Sequence, residues 1–260
     1  MLIDSHCHLD FPDLAANLPQ VLELMQQNGV GCAVCIGVNL ENFPSVLAIA
    51  EAHSHIFASV GVHPEYLDVR EPDIGELVRL AAHPKVIAIG ETGLDYHWHK
   101  DAPEWQRERF RTHIHAARQC CKPLVIHSRN AAADTLRVMK EEGAGQVGGI
   151  MHCFSESWEV AKIALNQGFH ISLSGTVTFK NAVNIKEIAR RIPLDRLLVE
   201  TDAPYLTPEP YRGKTNQPGY VKYVAEEIAR LRGLPYEEVV SATSDNFFRL
   251  FPDIRSRIAP

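Results

Sequence analysis

The chain has 260 residues, of which 45% are hydrophobic and 22% are charged, and its formal net charge is −6 at pH 7. This length fits one α/β barrel, and it allows a core large enough to be stable without disulfide bonds. The negative charge argues against non-specific binding to duplex DNA, which requires a basic surface, but it does not exclude an enzyme that reaches a phosphodiester through bound cations.

The N-terminal sequence and the cysteines predict a cytoplasmic protein. Asp4 stands where a secretory signal peptide would have a basic region and then an apolar run. No apolar stretch approaches the length of a membrane span, so we expect no membrane association. The six cysteines are expected to be reduced, and Cys32 and Cys35, within an apolar run, are predicted to be buried strand residues rather than a redox or zinc pair.

Short apolar runs alternate with segments of helical periodicity along the whole chain. Eight runs are strand-like: residues 2–5, 32–36, 57–62, 86–90, 124–126, 149–151, 170–173 and 196–199. Strands that alternate with helices pair in parallel through crossover connections, and eight such units close into a barrel. We therefore predict a single (β/α)8 TIM-type barrel domain over residues 1–260. An open doubly wound sheet is the alternative, but no glycine-rich fingerprint follows the first strand.

The thirteen histidines differ in their position relative to the predicted strands. His6 and His8 end the first run, and because strand side chains alternate, both share one face with Asp4, where two imidazoles can bind one cation. Three other pairs have the same spacing but lie in predicted helices or loops: His53 and His55, His97 and His99, His113 and His115. Residues two apart on a helix point in nearly opposite directions, so the last pair cannot chelate jointly.

The other candidate ligands follow later strands. Glu91 follows the fourth run, His127 the fifth, His152 the sixth, and Glu200 and Asp202 the eighth. Each has an ordinary alternative, such as a core histidine, a helix cap or a turn residue. In a closed barrel, however, all these strand ends meet at one mouth, and their joint occurrence indicates a metal site there.

The ligand types indicate the metal. Imidazoles and carboxylates without thiolates suit zinc, manganese, iron or nickel, and more carboxylate suits magnesium. The set exceeds what one catalytic zinc ion uses, because such an ion keeps an open position. We therefore expect two divalent ions (Mg²⁺, Mn²⁺ or Zn²⁺), bridged by a carboxylate and about 3.5–4 Å apart, that activate a water molecule.

Short motifs along nearly the whole chain occur in the order found in one known family. They read DSHCHLD at 4–10, GVHP at 61–64, GETGLD at 90–95, VIHSR at 125–129, MHCFS at 151–155, LVETDAP at 198–204 and RGKTNQP at 212–218, with a further match at 243–251. In these motifs the sequence resembles the TatD-type deoxyribonucleases of the amidohydrolase superfamily. The resemblance implies metal-dependent hydrolysis of nucleic acid ends, often as a 3′→5′ exonuclease.

The resemblance also implies roles for individual residues. His6 and His8 would bind one metal ion together with Asp202, and Glu91 would bridge both ions. The second ion would be completed by His127 and His152. The resemblance also implies that His63 and Arg129 contact a phosphate group of the substrate.

We therefore expect a deoxyribonuclease that acts on single-stranded or frayed DNA ends, with no stable binding of duplex DNA. Asp202 would orient the attacking water and accept its proton, or serve only as a ligand. Glu200 would act as a general base, bind a further cation, or orient a ligand. Arg129 presents a fork suited to phosphate, unless it pairs with an acid.

The loop at 204–218 is predicted to add substrate contacts through Arg212, Lys214 and Asn216, or to carry them only as solvated residues. Tyr205 and Trp98 are candidates for stacking on a terminal base, with packing as the alternative.

Two other functions remain open at this point. The same site would permit hydrolysis of a carbon ester, amide or lactone, including an ester linked to RNA. A binding protein with a vestigial site is the other alternative, and the intact ligand set argues against it.

Overall fold

A computed structural model describes residues 1–101 and 103–258. In these residues eight parallel strands form one sheet in chain order: β1 (Leu2–Cys7), β2 (Val30–Cys35), β3 (Ile56–Val60), β4 (Val86–Asp95), β5 (Leu124–Arg129), β6 (Gly149–Met151), β7 (Phe169–Leu173) and β8 (Leu197–Val199). The predicted TIM-type barrel is confirmed. Cys32 and Cys35 are buried and unbonded in β2, as predicted.

Helices follow the strands and surround the sheet. They are α1 (Pro12–Ala15), α2 (Leu18–Gln27), α3 (Phe43–Ala52), α4 (Ile74–Ala81), α5 (Glu104–Cys120), α6 (Ala132–Glu141), α7 (Trp158–Asn166), α8 (Val183–Arg191), α9 (Val221–Arg232) and α10 (Tyr236–Leu250). Among the helices of the described residues, none has both the length and the apolar character needed to cross a bilayer.

The alternation of side chains along each strand divides the core in two. One apolar cluster lies between the sheet and the helices, and it includes Ile56, Ala58 and Val60 of β3. Phe57, which lies between Ile56 and Ala58 in β3, belongs to the other cluster, and so does Phe247 of α10. The last helix therefore covers the end of the barrel where the strands begin. The polar side chains of the interior are left to the opposite end, where the strands finish.

The barrel closes between β1 and β8 with little strand pairing. In the described chain, one isolated bridge joins Cys7 of β1 to Ala203, which lies beyond the end of β8. The buried carboxylate of Asp4 fastens this seam, because it accepts hydrogen bonds from Thr201 N at 2.9 Å and from Thr201 Oγ1 at 2.6 Å. Ser5 Oγ also donates to the carbonyl of Val199, at 3.0 Å. Side chains thus replace part of the backbone ladder at the point of closure.

Removal of the Thr201 hydroxyl tests this seam. Thr201→Val should lower the free energy of unfolding by about 1–3 kcal/mol, because a buried carboxylate oxygen loses its donor. Denaturant unfolding measures the change. Thr112→Val is the matched control, since the Thr112 hydroxyl bonds only to the carbonyl of Glu108 in its own helix. Equal effects of the two substitutions would contradict the role of the seam.

A neutral histidine connects α5 to the end of β3. Val62 N donates to Nε2 of His113 at 2.9 Å, so Nδ1 carries the proton and donates to the carbonyl of Arg109 at 2.7 Å. Both ring nitrogens are therefore engaged, and neither is free for a metal ion. Burial lowers the pKa of His113 to about 4, although the bond to Arg109 opposes the shift.

This histidine predicts how stability depends on pH. As the pH falls below about 6.5, His113 becomes protonated in the unfolded chain, whereas in the folded chain it stays neutral down to about pH 4. Protons therefore favour the unfolded state, and the free energy of unfolding decreases across this interval. The contribution is at most about 3 kcal/mol. His113→Gln should reduce the slope of the unfolding free energy against pH between pH 4 and 6.5, because one of the histidines with a lowered pKa is removed. His99→Gln, in the loop after β4, is the control, and a wild-type slope in His113→Gln would refute the assignment.

Candidate metal centre

The predicted metal ligands converge at the end of the barrel where the strands finish. His6 belongs to β1, Glu91 to β4 and His127 to β5. His152 directly follows β6, and Asp202 lies three residues beyond the end of β8. They lie at and below the floor of a cavity of about 530 Å³. The convergence follows from closure of the sheet, which brings the ends of β1 and β8 together.

Glu91 lies at the centre of the cluster, and its two carboxylate oxygens face different imidazoles. Oε2 is 3.4 Å from Nε2 of His6. Oε1 is 2.9 Å from Nε2 of His152, 3.1 Å from Nδ1 of His127 and 3.2 Å from Nε2 of His63. One carboxylate thus joins two groups of potential ligands.

Asp202 completes the group on the Oε2 side. Its Oδ1 is 3.5 Å from Nε2 of His6 and 3.4 Å from Nε2 of His8. The backbone holds this residue in place, because Asp202 N donates to the carbonyl of His6 at 2.9 Å across the seam. His6, His8 and Asp202 form the group on one side of Glu91, which we call the seam group. His127 and His152 form the group on the other side, which we call the inner group.

The spacing of these atoms suits coordination of divalent ions. Two ligands of one tetrahedral ion, each about 2.0–2.1 Å from it, lie about 3.3 Å apart. The contacts of Glu91 and Asp202 with the two groups span 2.9–3.5 Å. In addition, both ring nitrogens of His6 and Nδ1 of His8 are buried without a hydrogen-bond partner among the described residues. Buried polar atoms normally have a partner, and a coordinated cation would supply one for His6.

The electrostatics suit a metal ion at Glu91, Asp202 and His6. At His8, His127 and His152 burial opposes protonation, but the nearby carboxylates outweigh it and raise the pKa, so a metal ion must displace a proton from these imidazoles. Burial alone would raise the pKa of Glu91, but the surrounding imidazoles, foremost His152 and His63, hold it well below its usual range. Burial likewise opposes ionisation of Asp202, and the hydrogen bond from His8 outweighs it, so this pKa is also lowered. Burial lowers the pKa of His6. At neutral pH both carboxylates are ionised and His6 keeps a free lone pair.

Two further carboxylates orient the imidazoles of the inner group. Oδ2 of Asp95 lies 2.9 Å from Nε2 of His127, and Oε1 of Glu200 lies 3.1 Å from Nδ1 of His152. A carboxylate on the far nitrogen fixes the tautomer and the ring direction of a metal-binding histidine, and it raises its basicity. Each imidazole of the inner group therefore has a carboxylate hydrogen-bonded to the ring nitrogen that points away from Glu91.

The position of Glu200 decides between the roles predicted for it. Its side chain is fully buried, Oε1 also accepts from Cys153 N at 2.7 Å, and the residue does not line the cavity. A general base must contact the attacking water. Glu200 cannot do so, because its carboxylate lies on the side of His152 that faces away from the cavity. The assignment of Glu200 as a catalytic residue is corrected: it orients a ligand.

Asp95 is a functional residue that the sequence analysis missed. The predicted fourth strand ended at residue 90, whereas β4 runs to Asp95. Residues 91, 93 and 95 of one strand share a face, so a longer strand would have placed Asp95 beside Glu91. Gly93 between them lets β5 approach, because a Cβ there would lie 2.0 Å from the carbonyl oxygen of His127.

His63 borders both the inner group and the cavity. Its Nδ1 accepts a hydrogen bond from Glu65 N at 3.1 Å, so the neutral ring carries its proton on Nε2. That nitrogen faces Oε1 of Glu91 at 3.2 Å and donates to it. His63 therefore offers no lone pair to a metal ion on this side, but it lines the cavity where a substrate would lie.

Arg129 also lines the cavity, at its exposed rim. Its guanidinium lies 5.8 Å from the centre of the Trp98 ring. Within the part of the chain that the structure describes, it makes no ion pair with a carboxylate. The alternative of a structural salt bridge is therefore not realised, and the guanidinium is available to an anion.

The three residues predicted from the loop at 204–218 do not line the cavity. Arg212 lies over the ring of Phe179 at 3.8 Å, and Lys214 lies 5.5 Å from the ring of Tyr211. Asn216 is fully buried, and its Nδ2 donates to the carbonyls of Thr201 and Tyr205. The assignment of Asn216 to substrate binding is corrected, because its amide is used to hold the loop that carries Asp202.

A TIM-type barrel with imidazole and carboxylate ligands at this rim is the arrangement of a metal-dependent hydrolase. The family described as "TatD related DNase" matches residues 3–252. Two bacterial proteins named uncharacterized metal-dependent hydrolases are similar over nearly their full length. YabD of Bacillus subtilis is 45% identical, covering 96% of this chain and 99% of that protein, and YcfH of Escherichia coli K12 is 43% identical, covering 99% and 98%.

The solved structures agree with the sequence comparisons. The crystal structure of YjjV, a TatD homologue from Escherichia coli K12, has a TM-score of 0.90 and 30% identity, covering 96% of this chain and 97% of that one. The chain belongs to the TatD family of metal-dependent hydrolases.

Replacement of Asp95 tests the orienting carboxylates. Asp95→Asn should weaken metal binding roughly 10- to 100-fold, because the far nitrogen of His127 loses its anionic partner. Titration of the metal-free protein against a chromophoric chelator measures the affinity. Asp68→Asn, on the exposed loop before α4, is the matched control. An unchanged affinity in Asp95→Asn would show that this carboxylate does not support the site.

Proposed function

We propose that the protein is a deoxyribonuclease that uses two divalent ions to hydrolyse phosphodiester bonds at the 3′ ends of single-stranded or frayed DNA. The observation that carries the proposal is the position of Glu91, with one oxygen toward His6 and the other toward His127 and His152. Such a carboxylate suits two neighbouring ions. The family match and the free guanidinium of Arg129 support phosphate as the substrate group.

Two ions held by the seam group and the inner group would acidify a water molecule and neutralise the charge that develops on the phosphoryl oxygens. Asp202 is placed to accept the proton of that water. Its carboxylate is ionised, it lines the cavity, and 16% of its side chain is exposed. Glu91, by contrast, is only 3% exposed and is surrounded by imidazoles. We assign Asp202 the role of general base and Glu91 the role of bridging ligand.

The open face of the site favours an anionic substrate. The carboxylates of Glu91, Asp95 and Glu200 lie among or behind the imidazoles, so cations held by the ligands would present their charge to the cavity. A phosphodiester gains more from that charge than a neutral ester, amide or lactone. Arg129 at the rim adds donors for phosphoryl oxygens.

A substrate panel tests the proposal. With Mg²⁺, Mn²⁺ or Zn²⁺, the protein should release mononucleotides from the 3′ end of single-stranded DNA labelled at its 5′ end, and it should leave p-nitrophenyl esters and lactones intact. Glu91→Ala should abolish cleavage and lower the bound metal, because each ligand group loses an oxygen. Gel analysis of the labelled products and metal analysis of the purified protein measure both effects.

Glu159→Ala, on the exposed face of α7, is the control and should keep full activity. Hydrolysis of the esters or lactones alone would replace the nuclease proposal with the carbon-ester alternative. A second substrate carries its label at the 3′ end. If this DNA became shorter but kept its labelled nucleotide, cleavage would proceed from the 5′ end, and the proposed polarity would be wrong.

A further inference from the structure

The walls of the cavity above the metal ligands differ in character. One wall is aromatic and is formed by Phe11, Tyr66 and Tyr205. The facing wall is polar, and it is lined by Ser128, Arg129, Ser155 and Thr176. A substrate that fits such a cavity carries a polar or anionic group next to a flat apolar one.

The aromatic wall begins at a metal ligand. The ring of Phe11 stacks on the imidazole of His8, with centroids 4.6 Å apart and an angle of 18° between the planes. The ring of Tyr205 stands edge-on to Phe11, with a centroid separation of 6.2 Å and an angle of 76°. A flat group held against these rings would therefore lie directly beside a group bound at the metal ligands.

Tyr205 is exposed but firmly placed. Its side chain is 54% exposed, although aromatic residues of this size are usually mostly buried. Its backbone is fixed at both ends, because Tyr205 N donates to the carbonyl of Asp202 at 2.9 Å and Nδ2 of Asn216 donates to the carbonyl of Tyr205. The turn that positions Asp202 thus also positions this ring. An exposed ring on a rigid backbone is preorganised for a ligand.

We propose that Phe11 and Tyr205 form a stacking subsite for a nucleobase that flanks the scissile phosphate. The inference rests on the proposed nuclease function and adds the part of the substrate that is recognised. Stacking on aromatic side chains accepts every base, because each base has a π-face, so the subsite gives affinity without sequence specificity. The phosphate would then lie between the metal ligands and Arg129, and the base would lie against the opposite wall.

The test compares two single-stranded oligonucleotides that differ only at their last two positions, which carry normal nucleotides in one and abasic tetrahydrofuran residues in the other. The wild-type protein should cleave the normal end with a kcat/KM about tenfold or more above that of the abasic end, in line with the worth of one stacked base. Tyr205→Leu keeps an apolar side chain but loses the ring. It should lose most of this preference through a higher KM on the normal end and change little on the abasic end.

Tyr205→Phe keeps the ring and should behave as the wild type. Ile163→Ala removes an exposed apolar side chain from α7 and is the control for a general surface effect. Equal cleavage of both ends by the wild type, or an equal loss on both ends in Tyr205→Leu, would overturn the subsite and leave the nuclease function standing. Cleavage of neither oligonucleotide by the wild type would overturn the nuclease function and the subsite together.

Discussion

The structure is organised around one buried carboxylate. Glu91 has its charge inside the barrel, where an unpaired anion would cost several kcal/mol or more. It is stabilised because imidazoles from β1, β5 and the end of β6 approach both of its oxygens. No local segment could provide these neighbours, since they come from strands far apart in sequence. The closed barrel is therefore a condition for burying this charge, and a cation bound beside Glu91 would in turn strengthen the closure.

The barrel has the least strand pairing where its first and last strands meet. The seam group depends on this junction, because its side chains come from both sides of it. In the described chain, one isolated bridge joins β1 to Ala203, beyond the end of β8. The seam group takes His6 and His8 from one side of this junction and Asp202 from the other. The Asp4–Thr201 hydrogen bonds fix the distance between these two sides before any ion binds. An ion shared by the seam group would add a cross-link at the same place. Because such an ion binds the folded chain far better than the unfolded chain, its binding energy would also stabilise the fold.

The barrel and the clustering of the six predicted ligands could be predicted from the sequence, because both follow from local patterns combined with one topological rule. His6, His8, His127 and His152 stand at strand ends, and strand ends of a closed barrel meet. Asp95 was missed because the strand was predicted to end at residue 90, and nothing local shows that Gly93 lets β4 continue beside β5. The loop residues Arg212, Lys214 and Asn216 were placed at the cavity because their charge and polarity suit it. Their actual positions depend on long-range contacts, such as the bonds of Asn216 to Thr201 and Tyr205, which no periodicity encodes.

The two ligand groups differ in a way that suits them to different tasks. In the inner group, Asp95 and Glu200 hold the far nitrogens of His127 and His152, and anionic partners make these imidazoles better donors. In the seam group, Nδ1 of His6 and Nδ1 of His8 have no such partner among the described residues, and Asp202 is the ligand that reaches the cavity. Because its imidazoles are held in place and are strong electron-pair donors to a metal, the inner group favours tight retention of an ion. A group with weaker donors and a partly exposed carboxylate favours exchange with solvent and substrate. Under the proposed two-ion mechanism, the inner group would anchor its ion, and the seam group would contact the reacting groups, beside Asp202 and beneath the aromatic wall.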